Sequence, residues 1–127
     1  MLRFTMIALA LLVVFYQPQA TIALAPVRTL NDYSVPELIE HFASQYGVSA
    51  ENMRKTIHCE SSMLPTAKGD FRNGKPTSFG LSQIHLPAHP EITEEQAYNP
   101  VFAVEFMAKE FSEGNSKIWT CARMLKV

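Results

Sequence analysis

The chain has 127 residues, with 11 Lys and Arg against 12 Asp and Glu and a formal net charge of −1. That length allows one domain and little else. The near balance of charge excludes the basic profile that nucleic-acid binding requires, and no internal repeat or low-complexity segment points to a fibrous or solenoid protein.

In chain order, Arg3 precedes an uncharged apolar run from Phe4 to Tyr16, which Gln17-Pro18-Gln19 interrupts. Ala23-Leu24-Ala25 then offers a small-x-small cleavage site, with Ala20 as a second one, in the layout of a secretory signal. The run is shorter than the roughly 20 residues of a bilayer span. Residues 1–25 are therefore expected to be a signal peptide, with an uncleaved anchor as the alternative, and residues 26–33 an N-terminal extension of a domain over 34–127. An exported location follows: secreted, periplasmic or cell-wall associated, and membrane-tethered only if the leader stays.

Ser34-Val35-Pro36-Glu37 is a helix start with Ser as N-cap, Pro in the first turn and Glu at the capping-box position. Leu38, Ile39, Phe42 and Tyr46 give that helix an apolar face, and Gly47 ends it. Ser49 opens a second helix in which Met53, Ile57 and Glu60 share one side. Ser61-Ser62 and Pro65 end it, so Glu60 lies at the edge of the core near a helix C-terminus. The negative end of the helix dipole disfavours an ionised carboxylate there, and partial burial acts the same way. A Glu kept protonated near neutral pH can protonate a leaving-group oxygen.

Residues 66–79 read as a hairpin with short, exposed strands, because Asn73-Gly74 suits a two-residue type I′ turn and the flanks are polar. Pro87 and Pro90 break regular structure between 85 and 91. Thr93-Glu94-Glu95-Gln96 caps a short helix, and Asn99-Pro100 starts the longest one, with a stripe of Val101, Val104, Ala108 and Phe111 beside Phe102 and Met107. Gly114 closes it. Ser116 caps a last helix whose shared face is Ile118, Cys121, Ala122 and Leu125. The expected fold class is mainly α (α+β): about five helices and one small hairpin.

Lys68, Arg72 and Lys75 gather around the hairpin with only Asp70 among them, whereas Glu91, Glu94, Glu95, Glu105, Glu110 and Glu113 face Lys109 alone. An anionic ligand would suit the first cluster, but ordinary solvated faces account for both runs. Two cysteines, Cys59 and Cys121, in an exported chain favour a disulfide over two buried thiols. It would close a loop of about 60 residues and stabilise the fold by roughly 4 kcal/mol on the loop-entropy argument.

Glu60-Ser61-Ser62 at a helix end, followed after a hairpin by Phe79-Gly80-Leu81-Ser82-Gln83-Ile84, resembles the lysozyme-like superfamily. The closest pattern within it is that of soluble lytic transglycosylases, where Glu-Ser precedes a variable hairpin and Gly-Leu-Met-Gln. The downstream helix from Asn99-Pro100 and the late Trp119 fit the same layout, so the resemblance covers about residues 35–125. It implies a lysozyme-like helical domain in which Glu60 protonates the glycosidic oxygen between N-acetylmuramic acid and N-acetylglucosamine. Glu60 would then take the proton of the muramyl C6 hydroxyl, leaving a 1,6-anhydro end.

Three departures bear on that expectation. Animal-type lysozymes carry a second carboxylate directly before the aromatic-Gly pair, where this chain has Ser78; Asp70 is the only other acid in the hairpin and stands eight residues earlier. A retaining hydrolase needs that second group, so its absence from the matching place favours the transglycosylase route over a single-Glu lysozyme with water as attacker. Ser82 replaces the usual Met, and Trp119-Thr120-Cys121-Ala122-Arg123 stands where the family has Tyr-Asn-Ala-Gly.

Around the catalytic Glu60, the expected substrate-binding residues are Ser62, Ser78, Phe79, Gly80, Ser82, Gln83 and Tyr98. Gly80 would let a sugar approach the backbone, or else serve a tight bend. Gln83 would bond an acetamido group or a hydroxyl, or else the hairpin backbone. Ser62 and Ser78 would bond a sugar or Glu60, or else act as turn residues. Phe79 and Tyr98 would stack on a pyranose ring, with Phe79 in the core as the alternative. His85 and His89 with the two cysteines could make a Cys2His2 zinc site, but the spacing fits no zinc-finger pattern and Pro87 lies between the histidines. No metal or cofactor is expected. The expected partner is the peptidoglycan glycan strand and the expected state a monomer. From other classes, the rivals are a catalytically silent glycan-binding module of the same fold and a structural zinc domain.

Overall fold

A computed structural model describes residues 25–127, and the expected leader, all but Ala25, lies outside the described residues. Five helices surround a core and a small sheet covers one end: α1 Val35–Tyr46, α2 Ala50–Ser61, β1 Lys68–Gly69, β2 Ser78–Phe79, β3 Ile84–His85, α3 Glu94–Tyr98, α4 Pro100–Ser112 and α5 Thr120–Leu125. The fold is mainly α with a minor β part, as the sequence pattern predicts. Among the described residues, no helix is long and apolar enough to cross a membrane.

The helix starts follow the capping chemistry. The Ser34 N–H donates to the Glu37 carboxylate at 2.7 Å, and Arg28 from the N-terminal extension pairs with the same carboxylate at 2.9 Å. Arg28 first and Ser34 second hold the Glu37 carboxyl down at about 2. Gly47, at φ 67°, ends α1. The Ser49 hydroxyl accepts the Asn52 N–H at the start of α2. Thr93 and Gln96 exchange both bonds of a capping box, and the Asn99 side chain accepts the Phe102 N–H while Pro100 occupies the first position of α4.

Helix α1 packs along α4 and beside α2, and α5 packs on α2. Their fully buried side chains include Leu38, Ile39, Phe42, Met53, Ile57, Val104 and Met107, with Leu81 entering from the sheet and Trp119 from the last connection. A second, smaller cluster of Phe79, Ile84, Ile92 and Ala97 lies under the sheet. Burial of this apolar surface at about 25 cal/mol per Å² is the main term holding so short a chain together.

The sheet is larger and less exposed than the sequence suggests. Asn73 and Gly74 both have positive φ, 51° and 75°, as a type I′ turn demands. The strands they join are extended by β3, in the order β1-β2-β3, with Lys68 opposite Phe79 and Ser78 opposite His85. Both residues of β2 are buried, because the sheet closes over the second apolar cluster. The last expected helix is split. Ser116–Ile118 forms a single 3-10 turn, and Trp119 is extended at φ −85°, ψ 129° before α5 begins. The reason is the indole: its Nε1–H donates to the Ser82 carbonyl at 2.6 Å, which takes Trp119 out of helical geometry. Of the expected shared face, Cys121 and Ala122 are buried and Ile118 and Leu125 are exposed.

Gly80 is required by packing. Its φ is 75°, and a Cβ there would lie 1.8 Å from the Ala97 carbonyl oxygen. Gly80→Ala is expected to cost about 3 kcal/mol, from the left-handed backbone and the backbone collision together. A denaturant melt that places the variant within 1 kcal/mol of the parent, on the scale of ordinary surface substitutions, would refute that account.

Candidate active site

Glu60 stands in the last turn of α2. Beyond it, Ser62 and Met63 both adopt left-handed backbone, at φ 53° and 62°, and turn the chain sharply away. The Glu60 side chain is left half-buried on the wall of a cleft of about 700 Å³ between the sheet and the start of α5. One carboxylate oxygen accepts the Cys121 backbone N–H at 3.0 Å. Cys59 and Cys121 are joined by a disulfide, with an S–S distance of 2.04 Å and Cα atoms 5.9 Å apart. The bridge therefore ties the helix that carries the acid to the backbone that holds it.

Burial is the largest influence on the Glu60 carboxyl and raises its pKa above the ordinary Glu value; the Cys121 N–H opposes this, the Asp70 charge raises it further, and Arg123 lowers it. The expected influence of the α2 C-terminus is thus countered by the N-terminal turn of α5, whose amide points at the same carboxylate. Among the described residues no cation forms an ion pair with Glu60; Lys55, the neighbour on α2, pairs with Glu51 at 3.0 Å.

The cleft also gathers residues that were not expected to bind substrate. Asp70, Phe71 and Arg72 come from the segment after β1, His85 and His89 flank the 3-10 turn Leu86–Ala88, and Phe106, Trp119 and Thr120 complete the opposite side. Trp119 is buried and packs on Phe106 and Phe111. Asp70 and Arg72 stood out along the chain only as hairpin charges, His85 and His89 only as possible zinc ligands and Trp119 only by its place in the family layout. That they share one cleft has no linear signal, because strand register and turn geometry bring them together.

Of the expected substrate-binding residues, Gln83 lines the cleft. Its Nε2 donates to the Gly80 carbonyl at 2.9 Å, so part of its capacity goes to the backbone. Its Oε1 occupies the space a Cβ at Gly69 would take, which makes Gly69 the residue that admits this side chain. The other expected contacts lie elsewhere. Ser78 and Ser82 are fully buried. The Ser78 hydroxyl donates to Asp70 and meets His85 Nδ1 at 3.1 Å, whereas the Ser82 hydroxyl donates to the Ala103 carbonyl and ties the sheet to α4. Phe79 is core, edge-on to Tyr98 at 5.5 Å. Gly80 faces Ala97, and Ser62 caps α2 from outside the cleft lining. Tyr98 is half-buried beside Phe79 and does not line the cleft; its hydroxyl is buried without a partner among the described residues. For Ser78, Gly80 and Ser82 the physical reason is shared: the segment around the family-like motif lies where sheet meets helices, so its small residues serve close packing.

The zinc arrangement is not formed, since both cysteines are spent on the bridge. Among the described residues, no group of three His, Cys, Asp or Glu side chains is placed to hold a metal ion. His89 instead faces Glu91 at 3.5 Å and packs edge-on against Phe106.

A half-buried carboxyl with a raised pKa, one backbone donor and an open cleft can hold a proton and deliver it to an acceptor oxygen. Comparison of the chain with protein-family models, with curated proteins and with solved structures finds no match.

Proposed function

We propose that this protein cleaves the glycan strands of peptidoglycan, with Glu60 as the general acid that protonates the glycosidic oxygen between N-acetylmuramic acid and N-acetylglucosamine. The observation that carries this reading is the placement of Glu60: a carboxyl whose pKa burial raises, on the wall of a cleft with aromatic and polar lining. The volume suits a run of sugar rings, and Trp119, Phe106 and Gln83 supply apolar faces and an amide. The resemblance of Glu60-Ser61-Ser62 and Gly80-Leu81-Ser82-Gln83 to lytic transglycosylases supplies the substrate class.

Glu60 alone suffices for the transglycosylase route, in which the muramyl C6 hydroxyl attacks and the anhydro end forms. The sequence favours that route because no acid precedes the Phe79-Gly80 pair. The cleft nonetheless contains Asp70, an observation that favours water as the attacker instead. Digestion of purified peptidoglycan with mass analysis of the fragments tests the common reading: fragments cut at the muramyl bond are expected, and intact strands would end it.

The pH dependence has a definite sign. The acid must carry its proton at the start of the reaction, so activity is expected to fall as pH rises through the raised Glu60 pKa. The folded state also holds this proton more tightly than the unfolded chain does. The corresponding stability is fully present below the ordinary Glu value and is lost as pH rises through the folded value. Glu60→Gln removes that loss while keeping an acceptor for the Cys121 N–H. Its thermal midpoint at neutral pH is expected to equal or exceed the parent's, with a smaller decline between acid and neutral pH. Parallel melts across that range check this, and a variant that melts below the parent at neutral pH would contradict it.

A further inference from the structure

Asp70 reaches the cleft by a route that residue counting along the chain does not show. The sheet sets Gly69, Ser78 and His85 side by side in register across its three strands. Asp70 follows Gly69 directly and has left-handed backbone at φ 49°, a conformation that Asp and Asn adopt more readily than most residues. The turn is pinned at the backbone, where the Asp70 carbonyl accepts the Thr77 hydroxyl. It is pinned again at the side chain, where Oδ2 accepts the hydroxyl of the fully buried Ser78.

The proton count in this row is closed. Ser78 has one hydroxyl proton and gives it to Asp70. Its oxygen lies 3.1 Å from His85 Nδ1, so that nitrogen is the one that donates. His85, Ser78 and Asp70 thus form a chain of donors ending on a carboxylate. The Asp70 side chain is 69% exposed, and its Oδ1 has no hydrogen-bond partner among the described residues. Asp70 also stands close enough to Glu60 for its charge to be felt there. A carboxylate built into a sheet by a buried hydroxyl, with one oxygen free in the cleft that contains the acid, is what activation of water requires.

We infer that Asp70 is the second catalytic carboxylate of this cleft, acting as general base on water, and that the protein hydrolyses its glycan. The inference rests on the reading of the cleft as a glycan-cleaving site. The step balances. Glu60 gives its proton to the glycosidic oxygen, and the bond from that oxygen to C1 breaks with its electron pair going to the leaving alcohol. The water oxygen forms the new bond to C1 and Asp70 accepts the water proton. Asp70 is left protonated and Glu60 ionised, and exchange with solvent restores both. Ser78 and His85 are positioning residues, since they touch Asp70 or its partner and no reacting atom.

The test is digestion of peptidoglycan by the full chain and its variants, with the ends of the fragments identified by mass. Wild type is expected to leave mainly reducing muramyl ends. Asp70→Asn keeps the left-handed turn and an acceptor for Ser78, so its thermal midpoint is expected within a few degrees of the parent's. Its turnover should fall about 100-fold or more, with the remaining ends shifted toward the 1,6-anhydro form, which needs Glu60 alone. A merely structural role would slow both kinds of end equally. In Asp70→Ala, added azide is expected to restore turnover and yield a glycosyl azide. Anhydro ends alone from wild type, or unchanged hydrolysis by Asp70→Asn, overturns the inference while leaving Glu60's role intact. An inert wild type overturns both readings, as does a Glu60→Gln variant equal to it.

Discussion

Glu60→Gln is expected to abolish cleavage of peptidoglycan, with turnover falling by at least two and up to four orders of magnitude, the usual contribution of a positioned general acid. Gln has the shape of Glu and keeps the acceptor that the Cys121 N–H requires, so the cleft should persist. What disappears is the proton. Without it the leaving alcohol must depart as an alkoxide, because the carboxyl whose pKa burial raises is the proton source of the proposed step. Retained binding of glycan fragments with lost turnover is the expected pair of results, measured by fragment release and by pelleting with insoluble peptidoglycan. If wild type binds the polymer without cutting it and the variant behaves identically, the protein is a glycan-binding module of this architecture.

Reduction of the Cys59–Cys121 bridge is expected to have the largest effect on stability. The bridge spans a sequence separation of 62, and closing a loop of that size contributes about 4 kcal/mol on the chain-entropy argument. Domains of this size have only about 5–15 kcal/mol in all. A drop in thermal midpoint of roughly 15–30 °C on adding a reductant therefore follows, read by circular dichroism with and without it. The Cys59→Ser, Cys121→Ser double variant should reproduce the drop. Activity should fall at temperatures where the reduced protein is still folded, because α5 is then free to withdraw the Cys121 amide from Glu60 and to loosen the Trp119 connection. Coincident melts of oxidised and reduced protein would show that burial of α5 against α2 holds the fold without the bridge.

The two effects converge on a few atoms. The acid, one cysteine and the helix end are consecutive in α2, and the second cysteine supplies both a sulfur and an amide to them. Stability and acid chemistry are therefore coupled: the burial that raises the Glu60 pKa depends on α5 lying against α2. Such a site trades stability for function, since burial penalises the ionised form of its carboxyl.

What was readable along the chain was whatever depends on neighbours a few positions apart. Ser34 with Glu37, Thr93 with Gln96 and Asn99 with Pro100 announced three helix starts, because a cap is satisfied within one turn. Gly47 announced a helix end, Asn73-Gly74 a type I′ turn, and the spacing of Met53, Ile57 and Glu60 an acid at the rim of the core. The cysteine pair followed from number and setting alone. None of these needs a partner from a distant segment, except the bridge, which had one candidate.

The three-dimensional arrangement decided the rest. Strands of two residues are too short to show alternation, so β3 and the burial of Ser78 and Phe79 had no periodic signature. Whether a small residue near a family-like motif faces a sugar or a neighbouring backbone depends on what packs behind it. For Gly80 that is the Ala97 carbonyl, and for Ser82 the Ala103 carbonyl and the Trp119 indole. Asp70 is the clearest case. Counted in residues it is far from the place a second acid should occupy, yet antiparallel pairing sets Gly69 beside Ser78 and brings its carboxylate onto the serine hydroxyl. Local chemistry can place an acid on a helix, but only strand register across the sheet can bring it a companion.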